Sequence, residues 1–111
     1  MLARQAQSDV VVVDVGVDAD FQDIAGLEGR KIRRGTRNFA KEPAMTLDEV
    51  HAALKVGIEL ASEAKQQGRT LIALSEMGIG NTTSASAIAA ALTGLSAAQV
   101  TGRGTGLDAE R

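Results

Sequence analysis

The order of apolar and polar positions predicts two strands joined by a helix. Val10 to Val13 is an uninterrupted β-branched run, and a run that is apolar on both faces is typical of a strand inside a parallel sheet. A second short apolar run, from Thr70 to Leu74, has the length of a strand. Because a helical pattern lies between the two runs, their order predicts a right-handed crossover.

Two helices follow from the same pattern. Thr46 and Glu49 have the spacing of a capping box, and Gly68 stands where the first helix would end. The apolar positions of this helix make one stripe, formed by Leu47, Val50, Leu54, Ile58 and Ala61. The second helix is alanine-rich and is predicted from about Thr82 to Leu92, with its stop near Gly94.

These elements predict an α/β fold. We expect a Rossmann-like, three-layer arrangement in which helices flank a parallel sheet and ligands bind at the carboxyl ends of the strands. A length of 111 residues fits one hydrophobic core, so residues 1–111 are interpreted as a single partial domain. The chain begins almost at a strand and ends in a glycine-rich loop, and we therefore expect a fragment of a larger domain.

The segment from Asp18 to Pro43 shows no convincing period and is predicted to be a long loop with one short turn. It carries a dense basic cluster, Arg30, Lys31, Arg33, Arg34, Arg37 and Lys41. These cations would attract a phosphate or carboxylate, pair with a second subunit, or form a solvated surface. The sequence leaves the three interpretations open.

Composition excludes several classes of function. The formal net charge is −2 and Trp and Tyr are absent, whereas nucleic-acid binders use a positive field and stacking aromatic side chains. With no cysteine and one histidine, His51, the sequence predicts neither a metal site nor a cofactor. No signal-like N-terminus and no apolar run of about 20 residues occur, which predicts no membrane partner and a cytoplasmic location.

A glycine turn, Met77 to Ser84, lies between the second predicted strand and the alanine-rich helix. Backbone N–H groups at the start of a helix attract anions, and Gly78 and Gly80 let an anion approach closely. Three hydroxyl donors follow, at Thr82, Thr83 and Ser84. Since the lysine of a P-loop is absent and Thr83 breaks the dinucleotide fingerprint, the turn favours a monophosphate. An ordinary turn with capping hydroxyls is the alternative.

Three carboxylates lie where ligands would bind. Glu76 precedes the glycine turn, where a carboxylate would accept a proton or hold a ribose hydroxyl, or else make a loop hydrogen bond. Asp14 and Asp18 follow the first predicted strand, where they would either face a ligand or make turns.

Three segments, Glu76 to Ala87, Ala91 to Gly94 and Gly102 to Asp108, resemble the nicotinate-nucleotide:dimethylbenzimidazole phosphoribosyltransferase family. Three earlier segments are similar in the same order, Val13 to Val17, Arg33 to Asn38 and Pro43 to Thr46. The resemblance covers nearly all 111 residues. It implies transfer of a phosphoribosyl group from nicotinate mononucleotide to 5,6-dimethylbenzimidazole. The products would be nicotinate and α-ribazole 5′-phosphate, and the second of these is used for the lower ligand of cobalamin.

The resemblance also implies roles for individual residues. Glu76 would lie close to the reacting centre as a catalytic residue. The phosphate and ribose would be held by Gly78, Ile79, Gly80, Asn81, Thr82, Thr83 and Ser84. The opposing loop of the pocket would be Gly102, Arg103, Gly104, Thr105 and Gly106. The family is dimeric as a rule, which implies a homodimer.

Two expected parts of the family's site have no counterpart in these residues. They are the glutamate of a later glycine-rich motif, which is the family's general base, and a phosphate-contacting lysine after the second loop. We therefore expect the chain alone to lack full activity. A non-catalytic module that binds a phosphate or nucleotide, and a piece stable only through partner contacts, are the alternatives.

Overall fold

The computed structural model describes residues 2–102. Its elements are α1 (Leu2–Gln5), β1 (Val12–Asp14), β2 (Leu27–Gly29), α2 (Leu47–Gln66), α3 (Asn81–Thr93) and α4 (Ala97–Val100). The chain forms two compact units, Met1–Ile72 and Ala73–Arg111. The prediction that residues 1–111 form a single domain stays a prediction.

A short parallel sheet organises the first unit. Its register pairs Val12 with Leu27, Val13 with Glu28, and Asp14 with Gly29. Three backbone hydrogen bonds of 2.9 Å continue the pairing, from Arg30 N to Asp14 O, from Ile32 N to Val15 O, and from Gly35 N to Gly16 O. The basic loop therefore runs beside the carboxyl end of β1.

The sheet differs from the predicted one in two ways. β2 lies inside the segment predicted as a long loop, because pairing with β1 imposes an extended backbone on residues that have no apolar run of their own. In contrast, Thr70 to Leu74 is irregular, and within residues 2–102 the sheet consists of β1 and β2 alone. A strand needs a neighbour to bond its backbone, and Leu71 and Leu74 are exposed here. The α/β class with a parallel sheet is confirmed; three layers are not observed.

Helix α2 begins and ends where the sequence predicts. The Thr46 amide donates to Glu49 Oε2 at 2.7 Å and the Glu49 amide donates to Thr46 Oγ1 at 3.2 Å, which completes the capping box. At the other end Gly68 has φ +76, a left-handed conformation that favours glycine. Both ends depend on contacts within one helical turn, which explains why the sequence predicts them correctly.

The two sides of α2 have different surroundings. One row of side chains, Glu49, Val56 and Glu63, is spaced at seven residues and therefore lies on one face. Val56 is the buried member at 8% exposure, and the glutamates pair with arginines of the basic loop. The predicted apolar stripe lies elsewhere on the helix, and Leu54 within it is 62% exposed. None of the helices in the described part is long and apolar enough to cross a bilayer.

Candidate functional site

The glycine turn leads directly into α3, as predicted. Gly80 is the N-cap residue, with φ 80 and ψ 6, and no side chain of the described residues caps the helix there. The Asn81 amide donates to Gly78 O at 3.2 Å and the Thr83 amide donates to Gly80 O at 3.3 Å, a long distance for such a bond. Two first-turn amides thus have backbone partners, and the helix end has no side-chain acceptor of its own.

Glu76 folds back over this turn. One of its carboxylate oxygens, Oε2, accepts a hydrogen bond from Asn81 Nδ2. A Cβ placed on Gly78 would overlap the Glu76 carboxylate and lie 2.9 Å from Asn81 Cβ. The candidate catalytic carboxylate and the candidate phosphate turn therefore lie in contact with each other.

The structure describes only the first residue of the second predicted loop. Its first residue, Gly102, follows α4, and the remaining predicted site residues, Arg103, Gly104, Thr105 and Gly106, lie outside the described residues. Ser86 Oγ on α3 donates to Val100 O on α4 at 3.2 Å. This bond fixes the start of the second loop against the helix that carries the glycine turn.

The Asp14 carboxylate forms its contacts within the first unit. Its carboxylate is 5% exposed, Lys31 Nζ lies 2.6 Å from Oδ2, and the Val17 amide donates to Oδ1 at 2.9 Å. The Lys31 hydrogen bond, followed by that of the Val17 amide, lowers the pKa of Asp14 below its ordinary value. Lys31 Nζ also donates to Val17 O at 2.7 Å and to Ala19 O at 2.9 Å.

This arrangement decides between two interpretations of Asp14. The Lys31 ammonium has three oxygen partners and holds the loop after β1 closed on itself. Asp14 is thus a loop-forming residue in the first unit, whereas Asp18 is exposed. Sequence reasoning missed the role of Lys31, since its partners lie 12 to 17 residues earlier and no local motif marks them.

Most members of the basic cluster are paired with acidic side chains. Arg30 lies 3.6 Å from Glu59 and 3.3 Å from Glu63, both on α2. Arg34 pairs with Asp20 within the loop. The Arg30 contacts fasten the loop to α2, and the paired arginines have acidic partners in place of an outside anion. The exposed Lys41 is the one member for which no ion pair is seen in the described part.

Glu49 joins the cluster to the helix cap. Arg37 Nη1 lies 2.8 Å from Glu49 Oε2, and Arg33 Nη1 lies 3.4 Å from Oε1. The hydrogen bonds from Arg37, and to a smaller extent the one from the Thr46 backbone amide, lower the pKa of Glu49 to about 2. The same pairing raises the pKa of Arg37. One carboxylate therefore caps α2 and holds two arginines of the loop.

A groove of about 480 Å³ lies beside this cap, lined by Arg37, Glu42, Pro43, Met45, Thr46 and Leu47. It contains none of the predicted site residues. Among the described residues no three His, Asp or Glu side chains gather as a metal ion would require. His51 is exposed on α2.

A glycine turn at the start of a helix is a common anion-binding arrangement in enzymes, and the whole chain, residues 1–111, matches the family model described as phosphoribosyltransferase. The chain belongs to this phosphoribosyltransferase family. A relative in Geobacter sulfurreducens, named nicotinate-nucleotide–dimethylbenzimidazole phosphoribosyltransferase, is 57% identical over 110 residues, which are 99% of this chain and 31% of the relative.

Other relatives agree with this assignment. A protein of the same name in Chlorobaculum tepidum is 48% identical over 111 residues, 100% of this chain and 31% of its own length. The crystal structure of CobT from Thermus thermophilus matches with a TM-score of 0.89 and 50% identity, over 97% of this chain and 32% of that one. The chain thus spans about a third of the length of the relatives it matches.

Proposed function

We propose that the intact protein transfers the phosphoribosyl group of nicotinate mononucleotide to 5,6-dimethylbenzimidazole. The observation that carries the proposal is the match of the whole chain to the family, together with the shared name of relatives up to 57% identical. The products are α-ribazole 5′-phosphate, a precursor of the cobalamin lower ligand, and nicotinate.

The proposed reaction sets the enzyme three tasks. A benzimidazole nitrogen attacks the anomeric carbon, and the bond to the pyridinium nitrogen breaks with its electron pair going to nicotinate. The leaving group is cationic before it departs, so it needs no added proton. The enzyme must align the two rings, hold the 5′-phosphate and remove the benzimidazole proton.

The turn from Gly78 to Ser84 would bind the phosphate and ribose. The support is the position of Gly80, which begins α3 without a side-chain cap and so leaves the positive end of the helix to an outside anion. The loop from Gly102 to Gly106 would oppose it, and the Ser86 bond to Val100 supports that placement. Glu76 would act at the reacting centre because it adjoins the turn.

The larger assembly is part of the same proposal. In the intact protein Thr70 to Leu74 would join a Rossmann-like, three-layer parallel sheet, since this segment has strand composition and lacks only neighbours. A homodimer follows from the family resemblance, a cytoplasmic location follows from the sequence prediction, and the exposed apolar stripe on α2 is surface that a dimer would cover. Light scattering of the intact protein tests the dimer.

A binding module without catalysis is the second candidate. It is favoured by the internal pairing of most of the basic cluster, which points to the glycine turn as the anion site of such a module. Such a module would bind nicotinate mononucleotide and turn over nothing.

Two measurements separate the candidates. Nicotinate mononucleotide added to the chain should shift the amide signals of Gly78 to Ser84, and no shift at millimolar ligand would contradict the binding module and favour a piece that is stable only through partner contacts. Activity is measured in a chimera in which this chain replaces the matching third of the Geobacter sulfurreducens relative. Turnover of nicotinate mononucleotide and 5,6-dimethylbenzimidazole supports the enzyme; binding without turnover supports the module.

A further inference from the structure

Glu76 is exposed, and one side-chain contact fixes its carboxylate in the described part of the chain. That contact is the hydrogen bond donated by Asn81 Nδ2 across the glycine turn. An exposed glutamate has several rotatable bonds, and ordering them costs free energy that some contact must offset. The direction of this carboxylate therefore depends on Asn81.

Asn81 is itself held in place. Its backbone amide donates to Gly78 O at 3.2 Å, and it is the first residue of α3. The turn and the helix thus fix the backbone position from which its side chain extends. Asn81 therefore presents its amide group from a defined position, and because an amide does not titrate it donates at any pH.

Gly78 and Gly80 are glycines for different reasons. Gly80 has φ +80 and a Cβ there would meet nothing within 4 Å, so its backbone conformation is what favours glycine. Gly78 is outside the left-handed region, but a Cβ on it would overlap the Glu76 carboxylate and lie 2.9 Å from Asn81 Cβ. The close approach of the Asn81 Cβ and of the Glu76 carboxylate is what favours glycine at position 78.

We propose that Asn81 is a positioning residue for Glu76, and that Gly78 provides the space in which Asn81 holds the carboxylate. The proposal rests on the proposed function, in which Glu76 lies at the reacting centre. A bound phosphate would repel a nearby carboxylate, and the Asn81 donor keeps Glu76 folded over the turn against that repulsion. Asn81 thus acts through Glu76 and not only on the nucleotide.

The contact is tested first in the chain itself, by the two side-chain amide signals of Asn81 in a proton–nitrogen correlation spectrum. Glu76→Ala and Gly78→Ala should each shift these signals, since the first removes the carboxylate and the second displaces it from the amide. The side-chain amide of Gln99 is the control, since its Oε1 accepts hydrogen bonds from Ser96 in the same unit. Its signals should not shift in either variant. Unmoved Asn81 signals in both variants would overturn the proposal.

The functional consequence is tested by a double-mutant cycle in the chimera described above. Asn81→Ala should lower kcat on the order of tenfold, the size expected for losing a hydrogen bond to a charged group, and should change the KM for nicotinate mononucleotide by less than it changes kcat. The isosteric Asn81→Asp cannot donate to Glu76 and should lose at least as much. In a Glu76→Ala background, Asn81→Ala should cause a clearly smaller loss than it does in the unaltered chimera.

The outcomes distinguish this proposal from the proposed function. An equal loss from Asn81→Ala with and without Glu76 would mean that Asn81 acts on the nucleotide alone, and the positioning role would be wrong. If Glu76→Ala leaves kcat unchanged, or the unaltered chimera is inactive, the failure lies with the proposed function. The Asn81 amide signals then decide the contact independently of activity.

Discussion

Gly80 and Gly94 stand at opposite ends of α3 in nearly the same backbone conformation. Gly80 has φ 80 and ψ 6, and Gly94 has φ 71 and ψ 7. A Cβ at either position would meet nothing within 4 Å, so alanine would bring no steric contact. Its cost is that of a left-handed backbone, about 1–2 kcal/mol at each position. The two substitutions are therefore matched in stability and differ only in which end of the helix they disturb.

We expect Gly80→Ala and Gly94→Ala to lower the free energy of unfolding by similar amounts, measured by urea titration of the helical circular dichroism. Only Gly80→Ala alters the turn that would receive the phosphate. The turn relaxes to relieve the left-handed alanine and thereby redirects its amides, so the affinity for nicotinate mononucleotide should fall on the order of tenfold, since about 1.4 kcal/mol is a factor of ten in Kd. Gly94→Ala should bind as the unaltered chain does.

The comparison can refute the reasoning. Equal affinities of the two variants, at equal loss of stability, would show that the start of α3 does not bind the nucleotide. A larger loss of affinity in Gly94→Ala would place the site at the other end of the helix. Amide shifts measured during the same titration identify the residues that respond.

Three further predictions concern the first unit. Because Arg37 holds the pKa of Glu49 near 2, below an ordinary value of 4.5, this group stabilises the fold above about pH 4.5 and loses its contribution as the pH falls toward 2. Glu49→Gln should therefore flatten the acid dependence of the urea midpoint; an unchanged slope would contradict the pairing. Val56→Ala should lower the free energy of unfolding by about 2 kcal/mol, and Leu54→Ala should lower it by under about 0.5 kcal/mol. A larger loss from Leu54→Ala than from Val56→Ala would mean that the predicted stripe faces the core. Lys31→Met should lower the urea midpoint and speed amide exchange in the loop after β1, and unchanged exchange there would show that the ammonium does not close it.

The family resemblance and the local structure of the helices were available from the sequence. The capping box of Thr46 and Glu49, the stop at Gly68 and the glycines at both ends of α3 all follow from side chains within a few residues of one another. The glycine turn and its neighbouring Glu76 were likewise predicted as one site, because they are contiguous in the chain. Their contact through Asn81 was not, since it depends on the rotamers that the turn allows.

Only the tertiary structure decided what lies between distant segments. Lys31 meets Asp14, and Arg30 meets Glu63 across 33 residues, so the basic cluster holds the loop to the first unit. Strand β2 exists because β1 offers it backbone partners, and Thr70 to Leu74 stays irregular because no strand lies beside it in the described chain. Local hydrogen bonds are encoded by neighbouring residues, whereas the pairing of charges and strands depends on which segments the fold brings together.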